Sequence, residues 1–211
     1  NDDGIETLTL TGLTVGNFYK IQIHDFQGDL MANGFTVCVT HTSPPTITSL
    51  GAASGCVGSS LVITGTNLTG ATAVTIGGTA ATITGNTATT VTVTVGTGTT
   101  GTVQVTTPGG TATSAATFTV NPLPANPGNP TSNSPQCNPP GVTLTRTGTP
   151  PAGVTWYWQT VAGGTSTANS AATFVATTSG TYYLRAQNDT TGCWSTGSGS
   201  LAITVTPSLS A

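Results

Sequence analysis

The run LVITGTNLTGATAVTIGGTAATIT, residues 61–84, shows the pattern that decides the fold of this chain. Aliphatic residues alternate with threonine in short segments, and the pair Gly77-Gly78 separates two of these segments. A period of two is typical of a half-buried β-strand, and a Gly-Gly pair between strands is typical of a tight hairpin. The pattern extends over residues 44–120, which contain no Asp, Glu, Lys or Arg. We therefore predict a complete antiparallel β-domain in this region.

The strands of this central domain are predicted from alternating runs that glycine, asparagine and proline separate. These runs cover residues 45–50, 60–66, 72–77, 80–84, 90–96, 101–107 and 112–120. The core is predicted from the apolar residues on one face of each run, namely Ile47, Leu61, Ile63, Val74, Ile76, Ile83, Val91, Val93, Val95, Val103, Val105, Phe118 and Val120.

The residues before the central domain have the pattern of part of a β-domain. Strand candidates lie at 5–13, 17–26 and 34–40. So few strands bury too little surface to form a sandwich alone. We predict that residues 1–43 are a partial β-module, completed by strands upstream of this sequence or by another subunit.

The central domain is predicted to span residues 44–121 and to be followed by a proline-rich linker at 122–135. Closely spaced prolines fix φ and remove backbone donors, which favours an extended, semi-rigid connection. Residues 136–211 then form a further β-domain, with strands predicted at 142–147, 153–160, 171–178, 181–188 and 200–207. In the second of these strands one face carries Val154, Trp156 and Trp158, and the other carries Thr155, Tyr157 and Gln159.

The chain is nearly uncharged, which excludes several classes of function. Only 4% of its residues are charged, and the net charge is −3 at pH 7. Without a basic patch, binding to nucleic acid or to an anionic membrane surface is not expected. No apolar run of about 18 residues is present, so no membrane insertion is predicted. The Cys content of a chain so poor in Met, Lys and Glu indicates an oxidising setting, and we predict a secreted or cell-surface protein.

Two regions of the sequence resemble known families. The segments PTITSL, LVITGTNLTGATAVTIGGTAAT and GTVQVTTPGGTATSAATFTV, within 44–120, are similar to an IPT/TIG domain, an immunoglobulin-like sandwich. Some members bind DNA through basic loops, but the loops here are neutral. The segment SGTYYLRA resembles the tyrosine-corner strand of an immunoglobulin-like domain, with Tyr182 as the corner. Together with WYWQT and GCWS it resembles the Ig-like repeats of large surface adhesins of Bacteroidetes, including gliding-motility adhesins.

These resemblances imply an all-β chain of tandem immunoglobulin-like β-sandwiches. At its start, LTGLTVGNFYKIQIHDF and GFTVCV resemble the closing strands of a jelly-roll-like sandwich. In this layout Cys137 and Cys193 fall near one end of the last sandwich, and we predict that they pair. For Cys38 and Cys56 a bridge between two modules is one hypothesis. The alternative is that Cys38 pairs within its own module and Cys56 with another chain.

Few residues carry the chemistry that catalysis or metal binding needs. The imidazoles His24 and His41 have no acidic partner at suitable spacing, since Asp25 points to the opposite strand face from its neighbour. The acidic residues near the start lack the spacing of a calcium loop. We predict no enzyme activity, no metal site and no cofactor.

The exposed aromatic residues and one hairpin are candidate sites of interaction or modification. Tyr157, Tyr183 and Trp194 are candidates for a glycan-stacking surface, whereas Trp156 and Tyr182 are expected in the core. The run Asp189-Thr190-Thr191 resembles an O-glycosylation motif of Bacteroidetes, which makes Thr190 a candidate glycosylation site.

The predicted function is structural. We expect the stiff, low-charge shaft of an extracellular adhesin or filament subunit, whose partners are copies of itself or neighbouring repeats of a longer chain. The alternative is a carbohydrate-binding or accessory Ig-like region of a secreted polysaccharide-degrading enzyme, and surface glycans are then the partner.

Overall fold

The computed structural model describes residues 42–207, and the predicted strands within 1–41 lie outside the described residues. Contacts divide the chain into the units Asn1–Thr40 and His41–Ala211, and the description concerns the second unit. Every regular element of residues 42–207 is a β-strand, and these strands form sandwich-like sheets. The predicted all-β class is therefore confirmed.

The first described domain is an eight-stranded arrangement in which each strand is hydrogen-bonded to the next in the order β1-β3-β6-β5-β4-β7-β8-β2. Its strands are β1 (Thr46–Leu50), β2 (Ser54–Cys56), β3 (Ser60–Thr66), β4 (Ala73–Ile76), β5 (Thr79–Asn86), β6 (Thr90–Thr94), β7 (Gly101–Thr107) and β8 (Gly110–Asn121). Strand β5 pairs with β4 through its first residues and with β6 through its later ones, which joins the two layers of the sandwich.

The hairpin between β4 and β5 shows why the sequence folds in this way. Ile76 pairs with Thr79, so Gly77 and Gly78 form a two-residue turn. Their φ angles of 55° and 84° are the positive values that such a hairpin turn requires and that glycine adopts without a steric penalty. The alternating residues of the strands then face a shared core, in which Phe118 and the valines of β6 and β7 are fully buried.

The second described domain contains two three-stranded sheets, β13-β11-β9 and β12-β14-β15, and the parallel pair β10–β16. Its strands are β9 (Thr131–Ser132), β10 (Gln136–Asn138), β11 (Val142–Thr145), β12 (Val154–Gln159), β13 (Thr173–Ala176), β14 (Gly180–Asn188), β15 (Gly199–Ile203) and β16 (Val205–Pro207). Strand β9 lies within the segment predicted as linker and pairs with β11.

The core of the second domain lies between its sheets and contains the aromatic residues expected there. Trp156 and Tyr182 are 8% and 7% exposed. The hydroxyl of Tyr182 donates to the backbone oxygen of Thr178 at 3.0 Å, four residues upstream. This bond ties the strand to the segment before it, as the tyrosine corner of an immunoglobulin-like domain does.

The chain enters each described domain at one end and leaves it at the other. Near the entry of the first domain, Thr42 donates to the backbone oxygen of Pro108, just before β8 begins. The chain leaves at Asn121, where β8 ends. In the second domain the incoming chain is bonded at Asn126 to Gly197, in the segment that follows the end of β14, whereas the last described strand, β16, lies beside Ser179 at the start of β14.

The tyrosine corner yields a test of the second domain. Replacing Tyr182 with Phe removes a hydroxyl that is bonded to both the backbone oxygen and the hydroxyl of Thr178, so we expect the free energy of unfolding to fall by about 1–2 kcal/mol. The matched control is Tyr183→Phe on the opposite strand face, where the hydroxyl has no hydrogen-bond partner among the described residues. Urea unfolding of both variants measures the difference, and equal stability of the two would contradict the assignment of the corner.

Candidate functional site

A disulfide bond joins the two described domains. It links Cys56 in the first domain to Cys193 in the second, with a sequence separation of 137 residues and a Cα–Cα distance of 5.7 Å. That distance is within the usual range for a disulfide. Cys56 ends β2 beside Asn121, the last residue of β8, and Cys193 lies in the hairpin that follows β14. The bond therefore lies at the junction where the first domain ends.

This pairing corrects the cysteine predictions. The predicted pair Cys137–Cys193 is wrong, because Cys193 bonds to Cys56 and Cys137 is an exposed free cysteine. The hypothesis of a Cys38–Cys56 bridge is wrong for the same reason, and so is its alternative of a bond from Cys56 to another chain. Cys38 itself lies outside the described residues.

The physical reason is that Cys137 and Cys193 lie at opposite ends of the second sandwich. Cys137 pairs with Thr206 near the start of β14, whereas the backbone oxygen of Cys193 accepts a bond from Asn188 at the end of that strand. A strand of this length spans about 25 Å at about 3.3 Å per residue. A disulfide requires Cα atoms within about 7 Å, so these two residues cannot bond.

The segment after β8 is held against the second domain. The side-chain oxygen of Asn126 accepts a bond from the backbone nitrogen of Gly197 at 2.8 Å. Asn129 accepts two further bonds, one from the backbone nitrogen of Ser200 at 3.0 Å and one from the hydroxyl of Thr147 at 2.9 Å. The free span of the linker therefore shortens to residues 122–125, which include two prolines.

The outer face of the sheet β12-β14-β15 brings two of the three candidate aromatic residues into contact. The rings of Tyr157 and Trp194 are 5.6 Å apart between centroids and tilted by 54°. Both side chains are half-buried. Tyr183 lies on the same face, where it pairs with Gln159 while Tyr157 pairs with Arg185. Such diagonal neighbours are about 7–8 Å apart, so Tyr183 lies near the pair and is not stacked on it.

Arg185 lies in the centre of this face, and the sequence reasoning did not identify its role. It is 9% exposed, and its Nη1 donates to the backbone oxygens of Gly163 at 2.6 Å and Gly164 at 2.9 Å. Its Nη2 donates to the backbone oxygen of Ser195. The guanidinium carbon is 5.4 Å from the centre of the Trp194 ring, which is a cation–π distance. Burial lowers the pKa of Arg185.

The loop that follows β12 covers part of the same face. Gln159 holds this loop through two bonds to the backbone of Ser166, at 2.6 and 2.9 Å. The strand alternation that separates Tyr157 from Trp156 also places Gln159 and Arg185 on this face. Alternation therefore predicts the face that Arg185 occupies, but its carbonyl partners lie in two segments without a periodic pattern, the loop at Gly163 and Gly164 and the segment at Ser195.

The other candidate residues are distributed as follows. Thr190 is exposed in the hairpin between Asn188 and Cys193, where Asn188 accepts a bond from its backbone nitrogen at 3.0 Å. His24, His41 and the acidic residues of the first module lie outside the described residues. Among residues 42–207 no group of three or more metal-binding side chains is present, and no helix is long and apolar enough to cross a membrane.

Comparisons with solved structures find several similar proteins. One is SGBP-B from a xyloglucan utilization locus of Bacteroides uniformis, with 25% identity, a TM-score of 0.32, and coverage of 35% of this chain and 22% of that chain. A second is SGBP-B of Bacteroides ovatus bound to a mixed-linkage heptasaccharide, with 22% identity, a TM-score of 0.31, and coverage of 43% and 27%. A third is gamma-CGTase of alkalophilic Bacillus clarkii, with 14% identity, a TM-score of 0.35, and coverage of 81% and 28%.

This chain therefore spans less than a third of each of these proteins. At these TM-scores the similarity transfers neither a fold nor a ligand to this chain. The resemblance to Bacteroidetes adhesins stays a prediction. No curated protein matches the chain significantly. The family model described as the IPT/TIG domain matches residues 45–120, and the first described domain is therefore an IPT/TIG domain.

Proposed function

We propose that residues 42–207 are a non-catalytic accessory region of a secreted or cell-surface protein, which holds two β-sandwiches in a fixed relative orientation. The observation that carries this proposal is the disulfide between Cys56 and Cys193. Domains joined by a single linker usually move relative to one another. Here a second covalent connection bypasses the free span of the linker, and this restricts the motion at the junction.

The path of the chain supports the same function. Because each sandwich receives the chain at one end and releases it at the other, the two domains add their lengths as a spacer. The linker strengthens the effect, since its asparagine side chains hold it against the second domain. A spacer of this kind suits an accessory region of a glycan-degrading enzyme or the shaft of an adhesin.

The double variant Cys56→Ser/Cys193→Ser tests this function. Each sandwich keeps its own core, so we expect both domains to stay folded while the distribution of interdomain distances broadens. Small-angle X-ray scattering of the oxidised protein and the variant measures this broadening as a larger spread of maximum dimensions. Cys137→Ser is the matched control, because that exposed cysteine is not part of the bridge. Scattering from the double variant that is identical to wild type would contradict the spacer proposal.

We also propose a second function, glycan contact at the outer face of β12-β14-β15. The specific observation is the half-exposed pair of Tyr157 and Trp194, with Tyr183 beside it. Part-exposed aromatic rings offer flat apolar area with a polar edge, which suits the C–H face and hydroxyl rim of a sugar ring. The polar side chains of Gln159 and Gln187 lie on the same face of the sheet.

The variant Trp194→Ala tests the glycan proposal. We expect it to lose binding on a glycan array to which the wild-type chain binds, because it removes the larger ring of the pair. The control is Val175→Ala, which removes an exposed apolar side chain (51% exposed) from the opposite sheet and should bind as wild type does. Equal binding by wild type and Trp194→Ala would show that the glycan does not bind at Trp194.

A further inference from the structure

The guanidinium of Arg185 is buried without a carboxylate partner. The only acidic residue among 42–207 is Asp189, which is exposed in a hairpin and does not bond to Arg185. Burying an unpaired charge is costly unless hydrogen bonds compensate for it. Three backbone oxygens provide these bonds, and the Nε atom of Arg185 is buried without a hydrogen-bond partner in the described residues.

The positions of these three oxygens connect two separate segments. Gly163 and Gly164 belong to the loop after β12, whereas Ser195 directly follows Trp194. The flat fork of an arginine can bond to both segments at once and still present its plane to an aromatic ring. Arg185 therefore links the loop, the backbone beside Trp194 and the Trp194 ring itself.

Trp194 is also fixed by its neighbours in sequence. Cys193 is bonded to the first domain, and Trp194 forms a β-bridge with Gln187. The hydroxyl of Ser195 accepts a bond from the backbone nitrogen of Ala186 at 3.1 Å and donates to Gly197 at 2.7 Å. The backbone on both sides of Trp194 is thus anchored, and its ring is contacted by the Tyr157 ring and by the guanidinium of Arg185, which is itself held by three backbone oxygens.

Building on the proposed glycan contact, we propose that Arg185 is the positioning residue that holds Trp194 as a stacking platform, and that this platform binds neutral rather than acidic sugars. The preference for neutral sugars follows because the guanidinium of Arg185 is already bonded to backbone oxygens of the protein. Three of the five N–H groups of Arg185 donate to protein oxygens, its Nε atom is buried, and the side chain is only 9% exposed, so little of the guanidinium is accessible to a sugar carboxylate. The other cationic side chain among residues 42–207 is Arg146, which bonds to Ser170 near the opposite sheet.

Binding by the full chain to cellohexaose, a neutral oligosaccharide, and to hexagalacturonate, an acidic one, tests this inference. Calorimetry should show binding of cellohexaose and weaker or no binding of hexagalacturonate. In Arg185→Lys the ammonium keeps the charge but cannot bond to both segments, and we expect affinity for cellohexaose to fall roughly tenfold. The control is Tyr182→Phe, which weakens the same strand on its inner face and should leave affinity unchanged.

A measurement on the wild-type chain tests the positioning role of Arg185 without relying on the correct folding of Arg185→Lys. The sequence contains two arginines, Arg146 and Arg185, so their Nε–H signals can be assigned in a nitrogen-15 spectrum. A sugar that stacks on Trp194 changes the chemical environment of the guanidinium beside that ring. Cellohexaose should therefore shift the Arg185 signal and leave the Arg146 signal in place.

The outcomes separate the two proposals. If Trp194→Ala loses binding while Arg185→Lys keeps wild-type affinity, or if bound cellohexaose leaves the Arg185 signal unmoved, the positioning role is overturned and the glycan contact stands. If hexagalacturonate binds more tightly than cellohexaose, the neutral preference is overturned. If wild type binds neither sugar, or Trp194→Ala binds as wild type does, the glycan contact itself fails at this site.

Discussion

The covalent bond between Cys56 and Cys193 is the constraint on which the arrangement of the two domains depends. Each sandwich has its own buried core, and the two core clusters share no residue. The apolar cores therefore stabilise the domains separately and do not determine the relation between them. That relation is set at the junction, where the disulfide and the asparagine-anchored linker act together. A chain with very few charges also has few ion pairs with which to fix a domain interface, so a covalent bond is an effective alternative.

The same bond connects the junction to the candidate binding surface. Cys193 precedes Trp194, and the residue after Trp194 accepts a hydrogen bond from Arg185. The proposed spacer and the proposed glycan-contacting face are therefore structurally coupled. The disulfide that restricts the orientation of the domains also anchors the segment that carries Trp194. This gives a physical reason for placing the aromatic residues near the junction.

Much of the fold could be predicted because period-two alternation is a local signal. It places Trp156 and Tyr157 on opposite faces of β12, and it identifies the hairpin at Gly77 and Gly78. It misses Leu68, which is fully buried although it lies in a loop after the strand β3. There the backbone of Leu68 bonds to Ala88 and to the side chain of Asn86, contacts between residues that no strand pattern relates.

The cysteine pairing and the role of Arg185 could not be predicted because both depend on contacts between distant segments. Four cysteines allow three full pairings, and spacing alone does not choose among them. Peptide mapping of the native protein under non-reducing conditions tests the central claim most directly. We predict one linked peptide that contains Cys56 and Cys193, and alkylation of Cys137 without reduction. A linked peptide that contains Cys137 and Cys193 would contradict it.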